Sequence, residues 1–229
     1  MSPSKFLFLS FLIRIDWDMF QTSLPDYASL HAAARCLSGG PIFITDSPGS
    51  HNIEVISSMV SMALPPNSPM LVLRPDRMAH AVDPYLGYRS NRLLCIQNMC
   101  SKGTTYLLGV FNLAAVRLTE IVRGFWPKDG DWVVWGHKSG RVETVRADLL
   151  VVDLEMWGWE VFTASQVYHG VAVLGLKGNI TGAAAVASWS LRKGDGYKVV
   201  EAEVKALGKL GRYPMTLISW TAPLIFFSI

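Results

Sequence analysis

Two short apolar runs, each ending in an acid-bearing turn and joined by one helix's length of chain, constrain this sequence most. The first is Ile13–Asp18, which leads into Met19-Phe20. The second is Pro41–Thr45, which leads into Asp46-Ser47-Pro48-Gly49. Between them Tyr27–Leu37, with His31-Ala-Ala-Ala-Arg35 inside it, reads as a helix. Asp26 is placed to cap it and Gly39-Gly40 to end it. Short apolar runs without alternation suit strands covered on both faces. Strand, helix, strand, with polar groups on the turns after the strands, is the pattern of a (β/α) barrel wall, where chemistry collects on those turns. It lies close to the amino terminus, where a barrel should not be nearly complete. The chain is therefore expected to be part of a longer one.

The character then changes. Ser50 or Asn52 can start a second helix, with Glu54 in its first turn and Ile53, Ile56, Val60 and Leu64 at helical spacing. Pro65-Pro66-Asn67-Ser68-Pro69 breaks that pattern. Beyond it come short β-rich runs, Leu93–Asn98, Tyr106–Asn112, Trp132–Trp135, Leu149–Leu154, Trp159–Ser165, Val171–Leu176 and Tyr197–Val204, separated by Gly, Pro and Lys/Asp turns. That spacing predicts an antiparallel sandwich.

Composition excludes more than it assigns. Half of the 229 residues are apolar, which rules out a disordered chain. A net charge of +3 without a Lys/Arg run argues against nucleic acid or an anionic membrane as partner. Cys36, Cys95 and Cys100 are an odd number with no His/Cys cluster around them, so neither a disulfide framework nor a metal site is expected. A reducing, cytoplasmic setting fits that usage. Phe6–Ile13 and Leu217–Ile229 are apolar but too short to span a bilayer. The first lacks a small-residue cleavage site and is read as a buried lead-in to the first strand. The second is read as the mark of a mis-joined or truncated coding sequence.

Asp16-Trp17-Asp18-Met19-Phe20-Gln21, His31-Ala-Ala-Ala-Arg35 and Ser38-Gly-Gly-Pro-Ile-Phe-Ile-Thr-Asp46-Ser-Pro-Gly49-Ser-His51-Asn52 closely resemble the raffinose synthase and seed imbibition protein family. These are α-galactosidase-like glycoside hydrolases and galactosyltransferases. Looser similarity continues through Leu73–Arg77, Asn98-Met99, Leu108–Asn112, Glu160–Ser165 and Lys205–Tyr213. The resemblance implies a fold class of α/β plus all-β: the last two βα units of a (β/α)8 TIM barrel, then a carboxy-terminal antiparallel β-sandwich. Residues 1–69 would carry barrel strands seven and eight, and residues 70–229 the sandwich. It also implies retaining α-galactosyl cleavage or transfer, in which one carboxylate attacks the anomeric carbon and another acts as acid then base. In the family those aspartates lie in Lys-Val-Asp and Ser-Asp-Asp motifs, and neither motif occurs here. No catalytic residue is therefore assigned, no cofactor or metal is expected, and the chain alone is expected to be inactive. The partner would be an α-galactoside sugar such as raffinose or galactinol. The sequence sets no oligomeric state. The alternative is a non-catalytic carbohydrate-binding or degenerate β-sandwich protein.

Five residues are candidates for substrate binding: Asp16, Trp17, Asp18, Asp46 and Ser47. Trp17 could stack on the apolar face of a sugar while Asp16 and Asp18 accept hydrogen bonds from its hydroxyls. The competing reading is a helix-entry turn whose acids bind backbone N–H groups. Asp46 and Ser47 occupy the equivalent turn, where turn chemistry is again the competitor. His31 and His51 read as structural. Trp126, Trp132, Trp135, Trp157, Trp159 and Trp189 could form a sugar-binding face but are expected in the core. Asn179-Ile-Thr181 is a glycosylation sequon by pattern only.

Overall fold

Alanines let the first helix approach the sheet beneath it. Helix α1, Ala28–Ser38, buries Ala32, Ala33 and Leu37 completely. Gly109 makes the approach possible, since a Cβ there would lie 2.4 Å from Leu37 Cδ2 and 2.8 Å from Phe111 Cε2. The helix ends at Gly39, whose φ of +76° is the left-handed cap that glycine adopts at least cost. A side chain at Gly39 would also meet the Arg77 carbonyl oxygen at 2.6 Å. Asn98, buried, donates from Nδ2 to the carbonyls of Leu37 (2.7 Å) and Arg77 (2.9 Å), closing the helix end onto the sheet. The computed structural model describes residues 19–65, 67–86, 90–145, 148–194, 197–213, 216–219 and 224–228.

Among the described residues helix α2, Ile53–Met59, is followed by sixteen strands. They are β1 (Val60–Met62), β2 (Met70–Val72), β3 (His80–Ala81), β4 (Leu94–Cys100), β5 (Thr105–Phe111), β6 (Leu118–Arg123), β7 (Trp132–Gly136), β8 (Val142–Val145), β9 (Leu149–Leu154), β10 (Trp159–Gln166), β11 (Ala172–Lys177), β12 (Val186–Gly194), β13 (Tyr197–Val204), β14 (Lys209–Tyr213), β15 (Thr216–Ser219) and β16 (Leu224–Ser228). The central sheet has order β3-β4-β5-β10-β7-β8, and all its pairs are antiparallel. Alternation along β5 separates its two faces. Leu107 and Phe111 meet α1, whereas Leu108 and Val110 meet Val122, Leu150 and Val152 of the β6–β9 ribbon. Beyond this layer, sheets β11-β14-β15 and β12-β13-β16 bury Val171, Val173 and Leu210 against Val186, Val200 and Val204.

The (β/α)8 barrel expectation is overturned. Among the described residues there are two α-helices, several small antiparallel sheets and no closed barrel. Barrel closure needs every strand to be paired on both sides. Among the described residues the run Pro41–Thr45 makes one parallel bridge, Phe20 to Ile44. No ladder extends from it among those residues, and Phe43 and Ile44 are exposed. The other expected barrel strand, Ile13–Asp18, lies outside the described residues.

Smaller expectations shift for local reasons. Tyr27, not Asp26, stands at the N-cap of α1, and no side chain caps it. Asn52 caps α2 by accepting Val55 N–H at 3.1 Å. Helical spacing suggested continuation through Val60 and Leu64, but Val60 pairs with Val72 and begins β1. A pairing partner outside the helix overrides the local period.

Candidate functional site

The turns after the two apolar runs are tied together by Arg35, Thr22 and Asp46. Arg35 is only 5% exposed on an otherwise alanine-rich face of α1. Its Nη2 donates to the Met19 carbonyl at 2.9 Å, and its guanidinium lies 4.9 Å above the Phe20 ring. A buried cation needs partners of this kind. Phe20, itself fully buried, is bridged to Ile44, and Thr45 N–H donates to the Phe20 carbonyl at 2.8 Å.

Asp46 binds the opposite turn. Its Oδ2 accepts Thr22 N–H (3.0 Å) and the Thr22 hydroxyl (2.5 Å), and its Oδ1 accepts Ser23 N–H (2.9 Å). Desolvation works to raise the Asp46 carboxyl, but these bonds outweigh it and hold the group well below the ordinary carboxylate range. Asp46 is therefore a permanent anion and acceptor at neutral pH, unsuited to donating a proton. Thr22, with no exposed surface, also accepts Asn52 N–H at 2.8 Å through its hydroxyl. One hydroxyl thus links Asp46 to the start of α2. Ser47 is exposed, and its carbonyl accepts Ser50 N–H (3.0 Å) and the Ser50 hydroxyl (2.7 Å).

Of the five sequence candidates, Asp46 and Ser47 lie on this knot, while Asp16, Trp17 and Asp18 fall outside the described residues, directly before Met19. Sequence reasoning missed the parts played by Thr22 and Arg35. A lone arginine on a buried alanine face, with no acid at helical spacing, was the available signal for Arg35. Nothing in the sequence pointed to Thr22, since its partners are 24 and 30 residues away.

Other groups take structural places. His31 is lowered from the usual histidine value by burial and then by Arg35, and it packs against Tyr27. Burial pushes the Cys36 thiol up to about 12. Burial and then Glu120 push Cys95 up to about 11, so neither offers a thiolate at neutral pH. Asn179 and Thr181 of the sequon are buried, donating to the carbonyls of Val60 (2.7 Å) and Leu73 (2.6 Å). Among the described residues no group of three His, Cys, Asp or Glu could hold a metal ion, and no helix is long and apolar enough to cross a membrane.

A sequence profile for the family described as raffinose synthase or seed imbibition protein Sip1 matches residues 4–120, just over half of the chain. The chain belongs to that family. The raffinose synthase match takes in both acid-bearing turns, both helices and β1 through β5. The chain is 31% identical over 247 aligned residues to the probable galactinol–sucrose galactosyltransferase 6 of Arabidopsis thaliana, covering 90% of this chain and 31% of the relative. It is 27% identical over 243 aligned residues to the galactinol–sucrose galactosyltransferase of Oryza sativa subsp. japonica, covering 90% and 30%. A 54-residue stretch is 44% identical to the Pisum sativum galactinol–sucrose galactosyltransferase, covering 24% and 7%. The chain thus spans about a third of the length of the first two raffinose synthase relatives.

Proposed function

We propose that this chain serves an α-galactoside-processing protein, by transfer from a galactinol-like donor or by hydrolysis, and that its acid-bearing turns contact the sugar. The observation that supports this most is the Arg35–Thr22–Asp46 knot. Thr22, Ser23 and Asp46 are held by packing and hydrogen bonds, so little ordering of these residues is left for the moment of binding. Trp17 offers a stacking face, Asp16 and Asp18 accept from sugar hydroxyls, and Asp46 and Ser47 border the same turns. Residues 1–69 carry these turns, and residues 70–229 supply the antiparallel layers behind them. The chain's own residues bind and orient. The nucleophile and the acid/base of a retaining reaction are two further carboxylates, which the Lys-Val-Asp and Ser-Asp-Asp motifs absent from this sequence would hold. That absence favours sugar binding without turnover as the second reading.

Titration of the chain with raffinose and with galactinol, followed through the Trp17 indole N–H by NMR, tests the assignment. Asp16→Asn and Asp18→Asn should each weaken binding about tenfold, the scale of one hydrogen bond to a charged group, and Trp17→Ala, which removes the reporter and is read by titration calorimetry, should weaken it to a similar degree. Unchanged affinity in all three folded variants would remove the acid turns from the site.

A further inference from the structure

A cleft lies between the β10–β11 hairpin and strand β12, which among the described residues is hydrogen-bonded on one side, to β13. Thr104, Tyr168, His169, Trp189, Ser190 and Leu191 enclose about 320 Å³. That is at the small end of the range for small-molecule sites, roughly 300–1,000 Å³. Among the described tryptophans, Trp126, Trp132, Trp135 and Trp159 are buried, and Trp157 and Trp189 are half-buried. Trp189 is half-buried and meets Tyr168 edge to face, with centroids 5.5 Å apart at 68°. Tyr168 is 46% exposed.

Both rings are held by regular backbone. His169 (φ 52°) and Gly170 (φ 82°) make a two-residue turn with positive φ at each position, the type I′ pattern that suits a twisted hairpin. Tyr168 and Val171 exchange both backbone hydrogen bonds across it, at 2.8 and 3.0 Å. Trp189 is fixed in register opposite Ala202 of β13 and packs on the Val171–Val186–Val200 cluster. Little ordering is left for a ligand to impose.

Hydrogen-bond arithmetic constrains the occupant. The Tyr168 hydroxyl donates to Gln166 Oε1 at 2.5 Å, and the Thr104 hydroxyl donates to the Ser101 carbonyl at 2.9 Å. A hydroxyl has one proton and two lone pairs, so each presents acceptors to the cleft. Among the described residues no Asp, Glu, Lys or Arg lines it. From those residues a cation would find no carboxylate, and an anion no ammonium or guanidinium group. What fits is an uncharged ring with hydroxyl donors and an apolar face.

We propose that this cleft binds a neutral pyranose, its apolar face against the Tyr168–Trp189 pair and its hydroxyls donating to Tyr168 Oη and Thr104 Oγ1. The assignment does not rest on the acid-bearing turns being a sugar site.

The test is an NMR titration of the chain with sucrose, raffinose and galactose, reading the Trp189 indole N–H, assigned by its loss in Trp189→Phe. The expected result is a saturable shift of that signal with a Kd on the order of 1 mM, the scale of a small site with few polar contacts. Tyr168→Ala, an exposed substitution, should weaken it about fivefold to tenfold, as expected for losing one ring of an aromatic pair. Tyr168→Phe, which keeps the ring and loses the acceptor, should fall between. Should Trp189→Phe not fold, the signal that moves with saccharide and answers to Tyr168→Ala carries the reading. The proposal is overturned if no indole signal meets that description, or if n-butylammonium shifts Trp189 while saccharides do not. Trp17 and Trp189 are separate signals, so either site can fail without the other.

Discussion

Thr22 has no exposed surface and makes three hydrogen bonds to two partners, Asp46 and Asn52, through two of its atoms, which makes it the residue with most to lose in the acid-turn knot. Thr22→Val keeps the shape but leaves Asn52 N–H without its acceptor. The expected cost is about 1–3 kcal/mol, the penalty for an unsatisfied polar group, read as a lower midpoint in urea unfolding. Asp46 carries a pH dependence of defined sign. Its carboxyl is held below its unfolded value by Thr22 and Ser23, so its contribution is complete above about pH 4 and is lost as pH falls toward the folded value. Asp46→Asn should therefore unfold more readily than the parent at neutral pH, and the gap should narrow on acidification below about pH 4. A gap that stays constant across that window in parallel melts would mean the carboxylate is not the cause.

At the scale of elements, the joint between α1 and the central sheet is set by two glycines whose reasons differ. Gly39 needs its left-handed φ, and Gly109 needs the absence of a side chain. Gly109→Ala would push against Leu37 and Phe111, both fully packed. The expected loss is about 1–3 kcal/mol from overpacking, measured by thermal unfolding. These elements were unequally legible. Leu149–Leu154 and Tyr197–Val204 emerge as β9 and β13 with the expected bounds, because their β-rich runs stand between clear turn signals. Val60–Met62 lay inside a helical period, and Leu118–Arg123 and Val142–Val145 mix apolar with charged residues, so these strands are defined by their partners. Pro41–Thr45 shows the converse. Its composition is that of a buried strand, and among the described residues it makes one bridge, to Phe20.

Across the whole molecule, one core joins residues from both halves of the chain. Phe20, Leu30 and Leu37 share it with Leu107, Phe111, Val161, Leu176 and Ala206. Leu37→Ala removes a fully buried side chain at its centre, and the expected cost is about 2–5 kcal/mol. Because the core is shared, helical and near-ultraviolet circular dichroism should fall together with temperature in the parent and in Leu37→Ala. Separate transitions would show that the helices and the sheets unfold independently. The segments of the knot also carry exposed Met19 (70%), Phe43 (56%) and Ile53 (68%), more apolar surface than such turns need for their own packing.

The sequence alone determined the family, since Asp16–Gln21 and Ser38–Asn52 hold their motifs in unbroken runs. It also determined the β-rich character beyond Pro69, since strand period and turn residues are local properties. Tertiary structure decided what local pattern cannot encode. Pairing turned the expected barrel strand at Pro41–Thr45 into a single bridge. Burial separated Trp189 from the core tryptophans. Contacts across 23 residues or more gave Asp46 and Thr22 their work. Hydrogen bonds and packing between distant segments depend on which surfaces meet, and that is settled when the chain closes on itself.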